Sequence, residues 1–380
     1  MRLLQLRSPR SLWLPLSLAC SGLLAGCEGL PYVLQLAEGQ LRVQGHVESI
    51  DDVLASGRLS EEDAAKLEYI VKVRDYAAQT MGLTVGRSYT TFYDTSGDRL
   101  AWNLSAARRD ALVPKTWTFP IAGEVPYLAF FNEDYLHSVA RQLLDEGYDT
   151  MTYELDAYST LGIFDDPVRS TMLQRDMLSL TETVIHELLH NTVWRASNAV
   201  FNESLATFVG RQGAVEFLRA EFGEDSGLPA IATAFYADTD AANAFLMQLY
   251  AELEEYYAQP VSAEEKIAGR DTVFQAGRDR FVAEVQPKLN YPDVFAGYAD
   301  LPINNAWMLA NYRYNLDLDV FAAVYAATGQ DWAATLDAFR AAAGAPDDPF
   351  EYLRGWLRQH ETSKARVSPA RTWRDNRDPW

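Results

Sequence analysis

Cysteine is almost absent: the chain holds only Cys20 and Cys27, so no disulfide framework holds the fold together. Histidine is scarce too, five in 380 residues, which makes any close pair of them informative. Basic residues are outnumbered, 33 Lys and Arg against 53 Asp and Glu. The resulting formal charge of −20 excludes nucleic acid as a partner, because phosphate binding needs a basic footprint. There is no GxGxxG, no Walker A loop, no CxxC pair, no internal repeat and no low-complexity tract. What is present, 48% hydrophobic and 23% charged side chains, is a globular composition rather than that of a collagen, a disordered tail or a polytopic membrane protein.

The N-terminus reads as an address label. Arg2, Arg7 and Arg10 precede an apolar stretch, Leu12 to Leu24, that is short for a bilayer span and interrupted by Pro15. It ends in Leu24-Ala25-Gly26-Cys27, which resembles the bacterial lipoprotein signal. That resemblance implies cleavage before Cys27, acylation of its thiol and new amino group, and a lipid-anchored protein of the cell envelope facing the periplasm. Glu28, where an aspartate favours inner-membrane retention, leans toward the outer membrane. A plain secretory signal is the alternative reading.

The expected organisation is a signal peptide (1–26), a lipid-anchored tether (27–58), one large domain (59–360) and a flexible tail (361–380). Ser60 with Asp63 starts a helix that runs to about Thr80. Residues 87–165 form the β-containing half, with strands at Tyr89 to Tyr93, Trp117 to Phe119, Val125 to Phe131 and Tyr148 to Tyr158, and a helix over 133–146. From 167 to 360 the pattern is almost wholly helical: Pro167 to Ser197, Asn202 to Phe222, an antiparallel pair over 240–258 and 262–288, then shorter helices to His360. The fold class is α+β, mostly α, with a small sheet before a central helix and a C-terminal helical bundle.

Two of the five histidines stand in His186-Glu187-Leu188-Leu189-His190. Positions i and i+4 of a helix share one face, so one tetrahedral zinc accepts both imidazoles while Glu187 lies beside it as general base toward a metal-bound water. A chance HExxH is expected in about four of a thousand chains of this composition. The flanking Leu180, Val184, Ile185, Leu189 and Val193 supply the burial such a helix needs. A third ligand falls to Glu203, twelve residues after His190, if the chain reverses near 196–199. His-His-Glu with one open position is a catalytic rather than a structural zinc site. The bland reading of Glu203 is a first-turn glutamate favoured by the helix dipole.

These motifs, with Ala157-Tyr158-Ser159-Thr160-Leu161-Gly162, Phe164-Asp165-Asp166-Pro167, Gly123-Glu124-Val125-Pro126-Tyr127, Asn304-Asn305-Ala306 and Phe201-Asn202-Glu203-Ser204-Leu205-Ala206, resemble those of the predicted zinc aminopeptidases of bacterial lipoproteins, a gluzincin-like family. The likeness runs from the lipobox to about residue 345 and departs from the family pattern at Asn191 and Ile163. It implies a zincin-like metallopeptidase core, one Zn2+ per chain, and a peptide substrate hydrolysed with Glu187 as base. Related zinc peptidases add a donor to the oxyanion; Tyr158, Tyr312 and Tyr314 are the candidates. Glu124, Glu154 or Asp156 could meet a substrate amine, and the strand at 152–158 or that near 125–131 could pair with the peptide. His137 and His360 read as surface or core residues. A non-catalytic envelope-binding lipoprotein with a retained zinc site, and a zinc hydrolase acting on another amide, remain as alternatives.

Overall fold

The computed structural model describes residues 29–119 and 121–367. The lipobox and Cys27 lie outside these residues, as do 368–380. The described chain is mostly helical with three small sheets, in keeping with an α+β fold weighted to α. None of its helices is long and apolar enough to cross a membrane. It divides into two compact units, one ending at Leu316 and one beginning at Asp317, a division the sequence pattern does not announce.

The first unit opens with helix α1 (Gly29–Gly45), strand β1 (Val47–Ser49), α2 (Ile50–Ser56) and α3 (Glu61–Gln79). Residues expected to be a tether are thus ordered: Tyr32 and Val43 of α1 are buried. A few well-placed anchors on one face suffice to dock a helix whose other faces are polar. Helix α3 starts as its sequence dictates, with the Ser60 Oγ accepting the Asp63 N–H at 3.0 Å. Then follow β2 (Thr91–Tyr93), β3 (Ala101–Arg108), β4 (Trp117–Phe119), β5 (Gly123–Val125), β6 (Leu128–Phe130), α4 (Glu133–Asp145), β7 (Tyr148–Leu155) and β8 (Val168–Arg169).

The main sheet is antiparallel, order β6-β3-β7. Its centre, β3, escapes sequence reading because it is buried along nearly its whole length and, apart from Trp102 and Arg108, is built of Ala, Ser, Asn and Leu. Neither alternation nor β-branched enrichment marks it. The strand expected over Val125 to Phe131 is in fact two. Strand β5 pairs with β4 and β6 with β3, and Pro126, with no N–H to give a ladder, stands at the break. One face of the main sheet packs under α4 and α1, where Leu104, Leu128 and Phe130 meet Leu136, Val139 and Leu143.

The single helix expected from Pro167 to Ser197 is also divided. Val168–Arg169 pairs in parallel with β2, Ser170–Gln174 is a 3-10 turn, and α5 runs only from Met177 to His190. Asp176 sets the start by accepting the Ser179 N–H at 3.0 Å. Next come α6 (Ala199–Phe222), capped by Asn198, then α7 (Leu228–Tyr257), α8 (Ala263–Arg280) and α9 (Asn305–Asn315). The second helix of the expected pair stops short, since Phe281–Val285 winds as a π turn and Gln286–Lys288 as a 3-10 turn.

Helix α9 is riveted to the main sheet. The Asn305 Nδ2 donates to the Arg108 and Ala111 carbonyls at 2.8 and 3.2 Å, and its N–H donates to the buried Asp149 carboxylate at 3.0 Å. Arg270 grips that same carboxylate through both Nη atoms, at 2.6 and 2.7 Å. The second unit is a helical trio, α10 (Leu318–Ala327), α11 (Trp332–Gly344) and α12 (Pro349–Val367). Its core holds Phe321 edge-on to Phe339, with ring centroids 5.6 Å apart, and Phe350 beside them.

Candidate metal centre

Helices α5 and α6 lie close because Gly210 has no side chain. A Cβ there would stand 3.0 Å from the Glu182 carbonyl oxygen and 3.4 Å from the Cβ of His186. Between them the chain reverses, and Asn202 clamps the reversal: its Nδ2 donates to the Arg195 carbonyl at 2.8 Å and its Oδ1 accepts the Arg195 N–H at 2.9 Å. Ser204 ties α6 to the end of α9, donating to the Arg313 carbonyl and accepting the Leu316 N–H. The run Asn202-Glu203-Ser204 therefore holds a loop, presents a carboxylate and pins a neighbouring helix.

These constraints bring His186, His190 and Glu203 together, with one ligand atom from each within 4.8 Å of the other two. The Glu203 Oε2 lies 3.2 Å from the His186 Nε2 and 3.5 Å from the His190 Nε2. Tetrahedral zinc with bonds of about 2.0–2.1 Å separates its ligand atoms by about 3.4 Å. The donor set and its spacing therefore fit such an ion. Burial alone would push the Glu203 carboxyl up, but the neighbouring imidazoles outweigh it and hold the group well below the usual carboxylate range. For His186, burial pushes downward, but the hydrogen bond to Glu203 and the charge of Glu187 win and raise its pKa.

The three groups sit in a cavity of about 410 Å³, which Glu187 also lines. Tyr314 stands against the ligand cluster, its ring stacked on His186 with centroids 6.1 Å apart. Burial, then the charge of Glu203, push the Tyr314 hydroxyl far above its ordinary pKa, so it keeps its proton. Tyr158 lines the cavity too, but its hydroxyl donates to Gln40 Oε1 at 2.8 Å. Behind it the fully buried Arg169 guanidinium stands 4.0 Å from the ring centroid. Tyr312 is not in the cavity lining; it stacks on Tyr250 at 4.3 Å.

Other candidates fall elsewhere. Glu154 pairs with Arg99 and Asp156 with Arg175, and neither they nor the exposed Glu124 line the cavity. His46 bonds the Arg42 carbonyl, His137 faces Glu133 on the surface, and His360 stacks on Trp356. At the two positions that depart from the family pattern, Asn191 accepts the Ser159 hydroxyl at 3.2 Å and Ile163 is exposed.

Sequence reasoning assigned no role to Tyr127, whose hydroxyl reaches Glu203 Oε1 at 3.4 Å, or to Trp194, whose ring meets His190 edge-on at 5.5 Å. Tyr127 did stand in the stretch Gly123 to Tyr127, and that was its only signal. Arg313 lies behind the Tyr127 ring, 4.9 Å from its centroid. Asp166, in the Phe164-Asp165-Asp166-Pro167 run, is a loop anchor: its Oδ2 accepts the Thr160 N–H at 3.0 Å, and burial raises its pKa to about 6 against the pull of Arg169.

No curated protein and no solved structure matches the chain. A family model described as "Putative aminopeptidase" matches residues 31–350. That span holds α5, α6, α9 and every residue of the cavity, and on it the chain belongs to this aminopeptidase family, a family of peptidases by its description.

Proposed function

We propose that the protein is a zinc-dependent metallopeptidase with a zincin-like core, lipid-anchored through Cys27 on the periplasmic side of a bacterial envelope, the outer membrane favoured by Glu28. The observation that carries the reading is the convergence of the His186, His190 and Glu203 donor atoms at zinc spacing, in a cavity that Glu187 also lines.

His186, His190 and Glu203 would hold the ion. When bound, zinc supplies Lewis acidity toward a carbonyl oxygen and acidifies water. Glu187 takes a proton from the attacking water and delivers it to the leaving amine. Tyr314, protonated and stacked on His186, stands beside the ligand cluster and is the candidate donor to the oxyanion, in place of its hydrogen bond to Tyr153. Tyr158 has its proton committed to Gln40, and Tyr312 lies outside the cavity lining.

The reading is tested with the mature chain and Glu187→Gln on a panel of peptides and amino-acid amides. Hydrolysis by the wild type and its loss in the variant, at equal zinc content, supports it. Equal hydrolysis by both removes Glu187 from the mechanism. Zinc without hydrolysis in either favours an envelope-binding protein.

A further inference from the structure

The cavity lining mixes two chemistries: the cluster His186, Glu187, His190 and Glu203, and an apolar set of Leu36, Phe119, Val125, Ala129 and Leu161, joined by Tyr32. At about 410 Å³ the cavity is near the small end of ligand sites, room for a residue or two and not for a folded partner.

Helix α1, which gives Tyr32 and Leu36 to this lining, is fastened by contacts that imitate a strand. Its Gln35 side chain donates to the Ala129 carbonyl at 3.1 Å and accepts the Phe131 N–H at 2.9 Å. A residue of a parallel strand opposite Phe130 would make that same pair of bonds. The Tyr32 hydroxyl takes the Ala129 N–H at 3.2 Å, and Gln40 takes the Tyr158 proton. Gly39 allows the approach, since a Cβ there would fall 2.1 Å from the Phe131 ring. The edge of β6 beside the cavity is therefore already paired, and α1 stops the cavity where a longer peptide would otherwise continue along that edge.

Resting on the metallopeptidase reading, we infer that α1 is the specificity element of the site. It closes a pocket for one bulky apolar side chain of the peptide, next to the scissile bond, with Leu36 and Tyr32 as the determining residues. Burial of a phenyl or isobutyl group there favours such residues over alanine by at least tenfold in affinity, and a charged side chain is disfavoured because the polar groups of this wall, such as Asn103 opposite Ala129, carry no charge to balance it.

The test is a binding titration of the full mature chain, which needs no turnover, using N-acetyl-L-phenylalaninamide, N-acetyl-L-alaninamide and N-acetyl-L-lysinamide. The expected order is phenylalanine at least tenfold tighter than alanine, with lysine weakest. In Leu36→Glu, a change at a half-exposed position, the phenylalanine advantage disappears and lysine gains. Gly39→Leu, which pushes α1 off Phe131, also erases the advantage. Equal affinity for the three probes, or a Leu36→Glu variant that discriminates as the wild type does, overturns the inference. Hydrolysis of peptides without side-chain preference also overturns it while leaving the metallopeptidase standing. The expected titration in a chain that hydrolyses nothing upholds the pocket and sinks the catalytic reading.

Discussion

Tyr127→Phe isolates one hydrogen bond to the carboxylate of the candidate metal cluster. Glu203 directs Oε2 at the two imidazoles and leaves Oε1 to the Tyr127 hydroxyl at 3.4 Å. Hydrogen bonds to charged groups contribute about 1.5–3 kcal/mol at ordinary length. This one lies past the usual 2.5–3.0 Å range of an O–H···O bond, so about 1 kcal/mol is the fitting value. That corresponds to about fivefold in zinc dissociation constant, below the tenfold or more that well-formed outer partners of metal ligands contribute. The ring, its packing and the Arg313 guanidinium behind it all stay, so the change is confined to the hydroxyl. Chelator-competition titration of wild type and variant reads the constant directly. An unchanged constant would show that the hydroxyl does not orient Glu203. A loss of a hundredfold or more would show that the geometry drawn around Glu203 is wrong.

Other outcomes follow from the same coordinates. Because the pKa of His186 is raised above 6.5, zinc must displace a proton already above that pH; affinity should fall by about a decade per pH unit on acidification, and a flat profile from pH 7 to 5.5 would contradict the pairing. Arg270→Ala leaves the buried Asp149 without its bidentate partner and should cost about 3 kcal/mol, seen as a melting temperature lower by about 4–5 °C. Asp166 has a folded pKa of about 6 against 3.8. Its stability contribution is thus fully present below pH 3.8 and lost as pH rises through 6, so Asp166→Asn should flatten denaturation midpoints across that window.

Much of the site is legible in the sequence because its chemistry is local. The His186–His190 spacing is helical, and Glu203 needs only one reversal to reach it. What stays hidden is held by distant contacts. Nothing in Tyr127 announces that it meets Glu203, 76 residues away. Tyr314 reaches His186 only because Ser204 and Asn305 anchor α9. The fold follows the same rule. Caps written into the sequence, such as Ser60 with Asp63, set real helix starts. Strand β3 lacks alternation because both its faces are buried, and α1 reads as a tether because Gln35, a polar residue, docks it by bonding backbone.

Everything proposed for the site depends on one catalytic zinc per chain, held by two imidazoles and a carboxylate. The most direct measurement is metal analysis of the purified mature protein, with X-ray absorption at the zinc edge, beside His186→Ala. The account predicts one zinc per chain, with two nitrogen ligands from imidazole and at least one carboxylate oxygen, and little or none in the variant. A wild-type protein that takes up no zinc, or a variant that holds it as tightly, would contradict it.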